Sequence, residues 1–351
     1  MKSLVMIVLV LCLIPLIGCT PATETVVSDD DTIETEVVEA ELWEDARLRF
    51  KALPDAAPNP ENSVTTAKVE LGKKLYFDTQ LSEQGTISCN SCHDLANFGV
   101  DSLPTSPGDD GGFGDRNSPT VLNAALHGTQ FWDGRAGDVE EQAGMPILNP
   151  VEMAIPSEDF LVERLSGSDE YRQLFADAFP EETDPLTYLN IQRALGAFER
   201  TLLTPAPFDA YLKGDPEAIS AEAKSGLHTF MRLGCTACHN GVNVGANSFQ
   251  KFGLHGRYWE HTGSAEVDLG REQVTEDEND RYFFRVASLR NVEMTAPYFH
   301  DGSVETLEEA VRVMVRIQLG IELTDQQVTD LASFLRSLTG VVPMEAQQSA
   351  G

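Results

Sequence analysis

Two short stretches of this 351-residue chain hold residues whose types and spacing are suited to chemistry. "TISCNSCHDL" (86–95) sets Cys89 and Cys92 three apart with His93 directly after the second. "LGCTACHNGV" (233–242) repeats the pattern with Cys235, Cys238 and His239. Three chemistries use paired cysteines. A disulfide inside CxxC is usually a redox device on a βαβ frame, and no such frame is visible in this sequence. A zinc ribbon brings two CxxC pairs to one ion but has no need of a histidine after each pair. Covalent attachment of c-type haem accounts for every residue: two thiols add to two vinyl groups, and the adjacent histidine lies under the iron as proximal ligand. Two copies of the motif point to two covalently bound haems.

The segments around the motifs must position them. "SAEAKSGLHTFMRLGC" (220–235) predicts a helix starting at Ser220, with Ala223, Leu227, Phe230 and Met231 on one face. "TTAKVELGKKLYFD" (65–78) plays the same part before the first motif, with Val69, Leu75 and Phe77 apolar. Near the other end, "TDQQVTDLASFLRSLTG" (324–340) reads as a helix. Thr324 and Gln327 form its capping box, Val328, Leu331, Leu335 and Leu338 its stripe, and Gly340 follows its end. Strand signals are few. A helix running into the haem motif is the arrangement of class I cytochromes. The expected fold is therefore mostly α, with two cytochrome c-like (class I) haem domains in tandem. They cover 46–205 and 206–342, join near "TLLTPAPFDAYLKGD" (201–215), and leave 343–351 as a tail.

The chain opens with a positive Met1-Lys2 and an apolar run, 4–17, too short for a comfortable membrane span. Leu16-Ile17-Gly18-Cys19 resembles the lipobox of bacterial lipoproteins. Residues 1–18 are thus expected to be a lipoprotein signal peptide and Cys19 the lipidation site, with Thr20 directing the protein to the outer membrane. Residues 19–45 are expected to be the lipidated cysteine and an acidic disordered tether, since they cannot bury enough apolar surface to offset ordering. Net charge is −31; setting aside residues 1–45, with ten acidic side chains and one lysine, still leaves about −22. Such a surface repels nucleic acid and attracts basic partners.

Four stretches together resemble the bacterial dihaem cytochrome c peroxidases. They are "LGKKLYFDTQLSEQGTISCNSCH", "RNSPTVLNAALHGTQFWDGRAGDVEEQAGMPILNPVEM", "CTACHNGVNVG" and "ASLRNVEMTAPYFHDGSVETLEEAVRVM". The resemblance implies an electron-transfer haem in the C-terminal domain feeding a peroxidatic haem in the N-terminal one. It implies hydrogen peroxide as substrate and a small cytochrome c or cupredoxin as electron donor, in the periplasm, with a homodimer common. It makes Met314 the sixth ligand of the second haem, with Met294 the competitor. It makes Glu152 the catalytic acid/base, Gln142 a distal glutamine and Trp132 the indole between the haems. It also implies one calcium ion, held by Asn117, Thr295 and Pro297. The acidic run 276–281 lacks the glycine and spacing of an EF-hand and reads as solvated surface.

One departure stands out. Many family members carry, in "TS-I-G-H-G", a histidine that caps the peroxidatic iron until the other haem is reduced. Here the stretch is "TSPGDDGGFGD" (105–115), with Asp109 in the histidine's place. The expected consequence is an open or water-bound sixth site without prior reduction, the alternative being a cap by His127 from another segment. Two other activities compete. A dihaem oxidase that matures a protein-derived quinone also lacks the distal histidine, but it uses tyrosine where this chain has Met314. A non-catalytic electron carrier would not need Glu152 and Gln142. His300 is expected to organise the haem or calcium region, and His228, His255 and His261 to be exposed or structural.

Overall fold

The computed structural model describes residues 29–348, so the expected signal peptide and Cys19 lie outside the described residues. The chain divides into a unit ending at Glu41 and a second unit running from Leu42 to Gly351. Helix α1 (Asp29–Arg49) begins in the first and ends in the second. It covers 29–45 of the stretch expected to be a disordered tether. Glu, Ala and Leu are good helix formers, and Arg47 and Arg49 in the last turn complement the helix dipole. Leu42, Ala46 and Phe50, four apart, are buried in a core, so tertiary packing sustains what composition alone disfavours.

Within the second unit the chain is helical with little sheet. Helices α2 (Thr66–Phe77), α3 (Cys89–Cys92), α4 (Val139–Leu148), α5 (Glu158–Ser166), α6 (Asp169–Ala178) and α7 (Tyr188–Glu199) come first. Leu71, Leu75 and Tyr76 of α2 meet Ile191, Ala194 and Phe198 of α7 in one core. Then follow α8 (Pro207–Leu212), α9 (Ala221–Arg232), α10 (Tyr258–Thr262), α11 (Glu272–Thr275), α12 (Leu307–Leu319) and α13 (Asp325–Arg336). Here Leu227 and Phe230 of α9 pack on Leu331, Phe334 and Leu335 of α13 in a second core. Each fully buried side chain of this kind contributes about 2 kcal/mol of transfer free energy.

The helices before the two motifs start where their caps dictate. Thr65 and Ser220 each accept a backbone N–H, from Lys68 and Ala223, and α13 has its Thr324–Gln327 capping box. The two helix crossings repeat one device. A Cβ on Gly72 would stand 1.9 Å from the Ala194 carbonyl oxygen, and one on Gly226 would stand 1.9 Å from that of Asp330. Only glycine lets the backbones approach this closely.

Strands β1 (Phe249–Lys251) and β2 (Phe283–Arg285) pair antiparallel, with Phe249 opposite Arg285. A smaller apolar cluster, Phe252, Tyr258, Phe284, Val313 and Ile317, sits beside them. The C-terminal segment is not a free tail: Val342 and Ala346 are buried in the first core, and Lys73 Nζ donates to the Glu345 carbonyl. Two buried forks tie distant segments, Arg200 to Glu140 and Arg290 to Asp209.

Candidate active site

The first motif sits at the end of an irregular turn. Ser88 caps α3, the His93 N–H donates to the Cys89 carbonyl at 3.0 Å, and Tyr76 Oη of α2 donates to the His93 carbonyl at 2.6 Å. Helix α2 and α3 are thereby fastened together, which is the reason the helix must precede the motif. Cys89, Cys92 and His93 line a cavity of about 1060 Å³, at the upper end of what cofactor and ligand pockets need. Burial pushes the Cys89 thiol up to about 12 and lowers the His93 pKa, which leaves a neutral imidazole. His93 Nδ1 is buried without a hydrogen-bond partner among the described residues.

The same cavity gathers the residues expected from far along the chain. Gln142 comes from α4, Glu152 from the turn after it, and Trp132 and Asn117 from the long loop before it. Burial raises the Glu152 pKa, against a hydrogen bond from Asn149 Nδ2 at 2.7 Å and the nearby charge of Arg135. A carboxyl poised in this way serves proton transfer. Trp132 Nε1 donates to the Asn117 carbonyl at 2.9 Å, and the Asn117 N–H donates to the His300 carbonyl at 2.7 Å. Asn117 is thus tied to the segment that holds Thr295 and Pro297, three residues before His300. His300 also lines the cavity, its ring stacked on Phe284 at 4.3 Å.

The second motif lies at the end of α9 in the other core, away from the first cavity's lining. His239 is half-buried, desolvation lowers its pKa to about 4, and its Nδ1 stands 3.2 Å from the Val244 carbonyl. That contact selects the tautomer in which Nε2 is free to bind a metal. Met314, on α12, packs half-buried against the small apolar cluster, where Trp132 also packs. Met294 is 38% exposed, a poor place for a ligand to a buried centre. Among the described residues the four cysteines are free thiols, and no three His, Cys, Asp or Glu side chains converge as a ribbon's ligands would.

Comparison with known proteins decides the family. The di-haem cytochrome c peroxidase profile matches residues 66–217. Over 305 residues the chain is 45% identical to the cytochrome c551 peroxidase of Pseudomonas aeruginosa, covering 86% of this chain and 87% of that one. The chain belongs to the di-haem cytochrome c peroxidase family. The cytochrome c551 peroxidase of Nitrosomonas europaea is 44% identical, covering 83% of this chain and 84% of that one. A solved MauG-like protein associated with microbial copper homeostasis matches at 28% identity and a TM-score of 0.74, covering 85% of this chain and 97% of that one.

Membership in the di-haem peroxidases implies two c-type haems, and the residues suit them: paired free thiols, neutral desolvated imidazoles and a large cavity at the first motif. Against that frame Asp109 is informative. It is buried, and its carboxylate accepts from Ser82 Oγ at 2.8 Å, from the Gln84 N–H, and from Thr86 through both N–H and Oγ1. Burial raises its pKa, but the donors Thr86, Gln84 and Ser82 outweigh this and hold the carboxyl below its ordinary value. Asp109 therefore serves the turn leading into Cys89 and lies outside the cavity lining.

His127 does line the cavity, beside Arg285. Sequence reading missed Arg285, as it missed Arg135 and Asn149, which flank Glu152, and Glu199, a buried cavity carboxyl raised to about 8. No local pattern distinguishes these four from other polar residues. Only their place around one cavity does.

Proposed function

We propose that this chain reduces hydrogen peroxide to two waters, taking up two protons and two electrons delivered singly by a small cytochrome c or cupredoxin. The observation that carries the reading is one cavity shared by Cys89, Cys92 and His93 with Glu152 and Gln142. The haems supply the electron storage and the site where peroxide binds. Glu152 accepts the proton from the near peroxide oxygen and returns it to the far one, which leaves as water. Asn149 orients its carboxylate, Arg135 keeps part of it ionised, and Gln142 offers an amide to the bound peroxide. Cys235, Cys238, His239 and Met314 would hold the second haem, which would supply the point of electron entry, with Trp132 as the relay between the two centres. A thioether there favours the reduced state and so suits an entry point.

In this reading residues 46–205 carry the peroxidatic haem and 206–342 the electron-transfer haem, each a cytochrome c-like domain. A calcium ion held by Asn117, Thr295 and Pro297 braces their junction; oxygen-only ligation suits a hard cation. The protein is a periplasmic lipoprotein anchored through Cys19, open to homodimer formation, and its acidic surface favours a basic donor. In this reading Asp109 would give no ligand to the haem that Cys89, Cys92 and His93 would hold, because its carboxylate is engaged by Ser82, Gln84 and Thr86.

The quinone-maturing oxidase is the runner-up; Met314 in place of its tyrosine and the 45% identity to a peroxidase count against it. The deciding test is Glu152→Gln in the fully haem-loaded protein. Loss of peroxide turnover with intact haem content supports the reading, whereas unchanged turnover takes the proton transfer away from Glu152; a wild-type protein that turns over no peroxide favours an electron carrier.

A further inference from the structure

Arg285 is a buried cation with no acid partner in an ion pair among the described residues. It is 4% exposed, its Nε donates to the Phe131 carbonyl at 3.0 Å, and its Nη1 is buried without a hydrogen-bond partner among the described residues. The other arginines lining the same cavity differ. Arg116 pairs with Asp133 and Asp268, and Arg135 pairs with Asp133. Burial lowers the Arg285 pKa to about 10, and the field of Asp133 offsets this only in part. A guanidinium stripped of water and left unpaired is costly enough that folded proteins supply an anion. A water molecule would fill one donor but would not neutralise the charge.

His127 stands in the field of Arg285, and both of its ring nitrogens are buried without a hydrogen-bond partner among the described residues. Gln130 lies close: its Nε2 donates to the Ala124 carbonyl at 2.9 Å, and its amide oxygen, as an acceptor, raises the His127 pKa. Arg285 and His127 together present a forked cation and an imidazole N–H, a donor set matched to a carboxylate. Both line the cavity that contains Cys89, Cys92 and His93. In a protoporphyrin the vinyl groups and the two propionates occupy opposite edges. Fixing the vinyls at the cysteines commits the propionates to another part of the same cavity.

We propose that Arg285 and His127 bind a carboxylate, and that this carboxylate is a propionate of the haem attached at Cys89 and Cys92. The inference rests on the reading of the cavity as a haem site. It adds a positioning role: the Arg285 N–H donates to the Trp132 carbonyl at 2.7 Å and its Nε to the neighbouring Phe131 carbonyl. The propionate clamp is therefore built onto the backbone that carries the indole. His127 acts here as a donor at the haem edge, which argues against its acting as an iron cap.

The test uses the full haem-loaded protein. Haem is first counted as the pyridine haemochrome; resonance Raman then reads the propionate bending bands and spectroelectrochemistry the two midpoint potentials. Arg285→Leu is expected to keep two haems, shift the bending band of one, and lower that haem's potential, since a lost cation disfavours the reduced state. His127→Leu is expected to shift the same band with a smaller change in potential. Arg285→Lys should restore the potential but not the band; if the leucine variant fails to fold, it and His127→Leu carry the test. Two haems with unchanged bands in both leucine variants would overturn the proposal. So would a wild-type potential that depends on phosphate at constant ionic strength and loses this dependence in Arg285→Leu, because the anion would then be a soluble one. A wild-type chain that takes up no haem at Cys89 and Cys92 would overturn the reading beneath it as well.

Discussion

The Asp109 N–H donates to the Glu152 carbonyl at 2.7 Å. Gly108 lies so close to the same turn that a Cβ there would stand 2.2 Å from the Val151 carbonyl oxygen. The backbone of Asp109 thus holds the turn that carries Glu152. Its side chain holds the turn that leads into the first haem motif. One residue couples the two segments that must meet across the cavity.

Replacing Asp109 by alanine leaves the Ser82, Gln84 and Thr86 donors without their acceptor, at a cost of about 1–3 kcal/mol. Denaturant unfolding measures this. The sign of the pH effect follows from the lowered pKa. The ionised carboxyl stabilises the fold above its ordinary unfolded value near 4, and that contribution is lost as pH falls through the still lower folded value. Asp109→Asn should remove this part of the acid dependence and lie below wild type at neutral pH.

The resting spectrum tests the proposed open position at the first haem. Fully oxidised, calcium-loaded protein should show a high-spin ferric EPR signal that disappears on adding peroxide without reductant. Two low-spin haems that respond only after one-electron reduction would mean that another ligand caps the iron.

Because burial raises the Glu152 pKa, the acid limb of kcat/KM for peroxide should lie above the ordinary glutamate value of about 4.3. Activity falls below that limb because a protonated Glu152 accepts no proton. Arg135→Leu removes a charge that lowers this pKa, so the limb should move to higher pH. A limb that stays in place in Arg135→Leu would assign it to another group.

Met314→Leu should lower the potential of the second haem and slow peroxide turnover when the donor is a small redox protein. Met294→Leu, at a surface position, should leave both unchanged. Equal effects from the two variants in spectroelectrochemistry would reverse the ligand assignment.

Gly72→Ala and Gly226→Ala each place a methyl group 1.9 Å from a carbonyl oxygen. Each should destabilise its helix crossing by about 3 kcal/mol or more. Thermal unfolding compared with an exposed control, Leu48→Ala, separates this from a general effect.

Much of this protein is written locally. The CxxCH pairs, the caps at Thr65, Ser220 and Thr324, and the apolar stripes of α9 and α13 involve residues within a few turns of one another. Spacing alone exposes them, and the structure has those helices where their caps dictate. What the sequence determined by itself, then, was the haem-binding pattern, the helical class and the resemblance that pointed to Glu152 and Gln142. Tertiary structure decided the rest. Helix α1 forms through a stretch whose acidic composition reads as tether, because Leu42, Ala46 and Phe50 find a core that no local window contains. Ala346 returns to a core built chiefly from residues 71–202. Asp109 meets Ser82 and Thr86, and Arg135 with Glu152 and His127 with Arg285 line one cavity, only because the intervening chain folds back. The physical reason is the same in each case. A charged or polar side chain gains its role from desolvation and from the partner that desolvation makes necessary, and both are properties of the packed molecule.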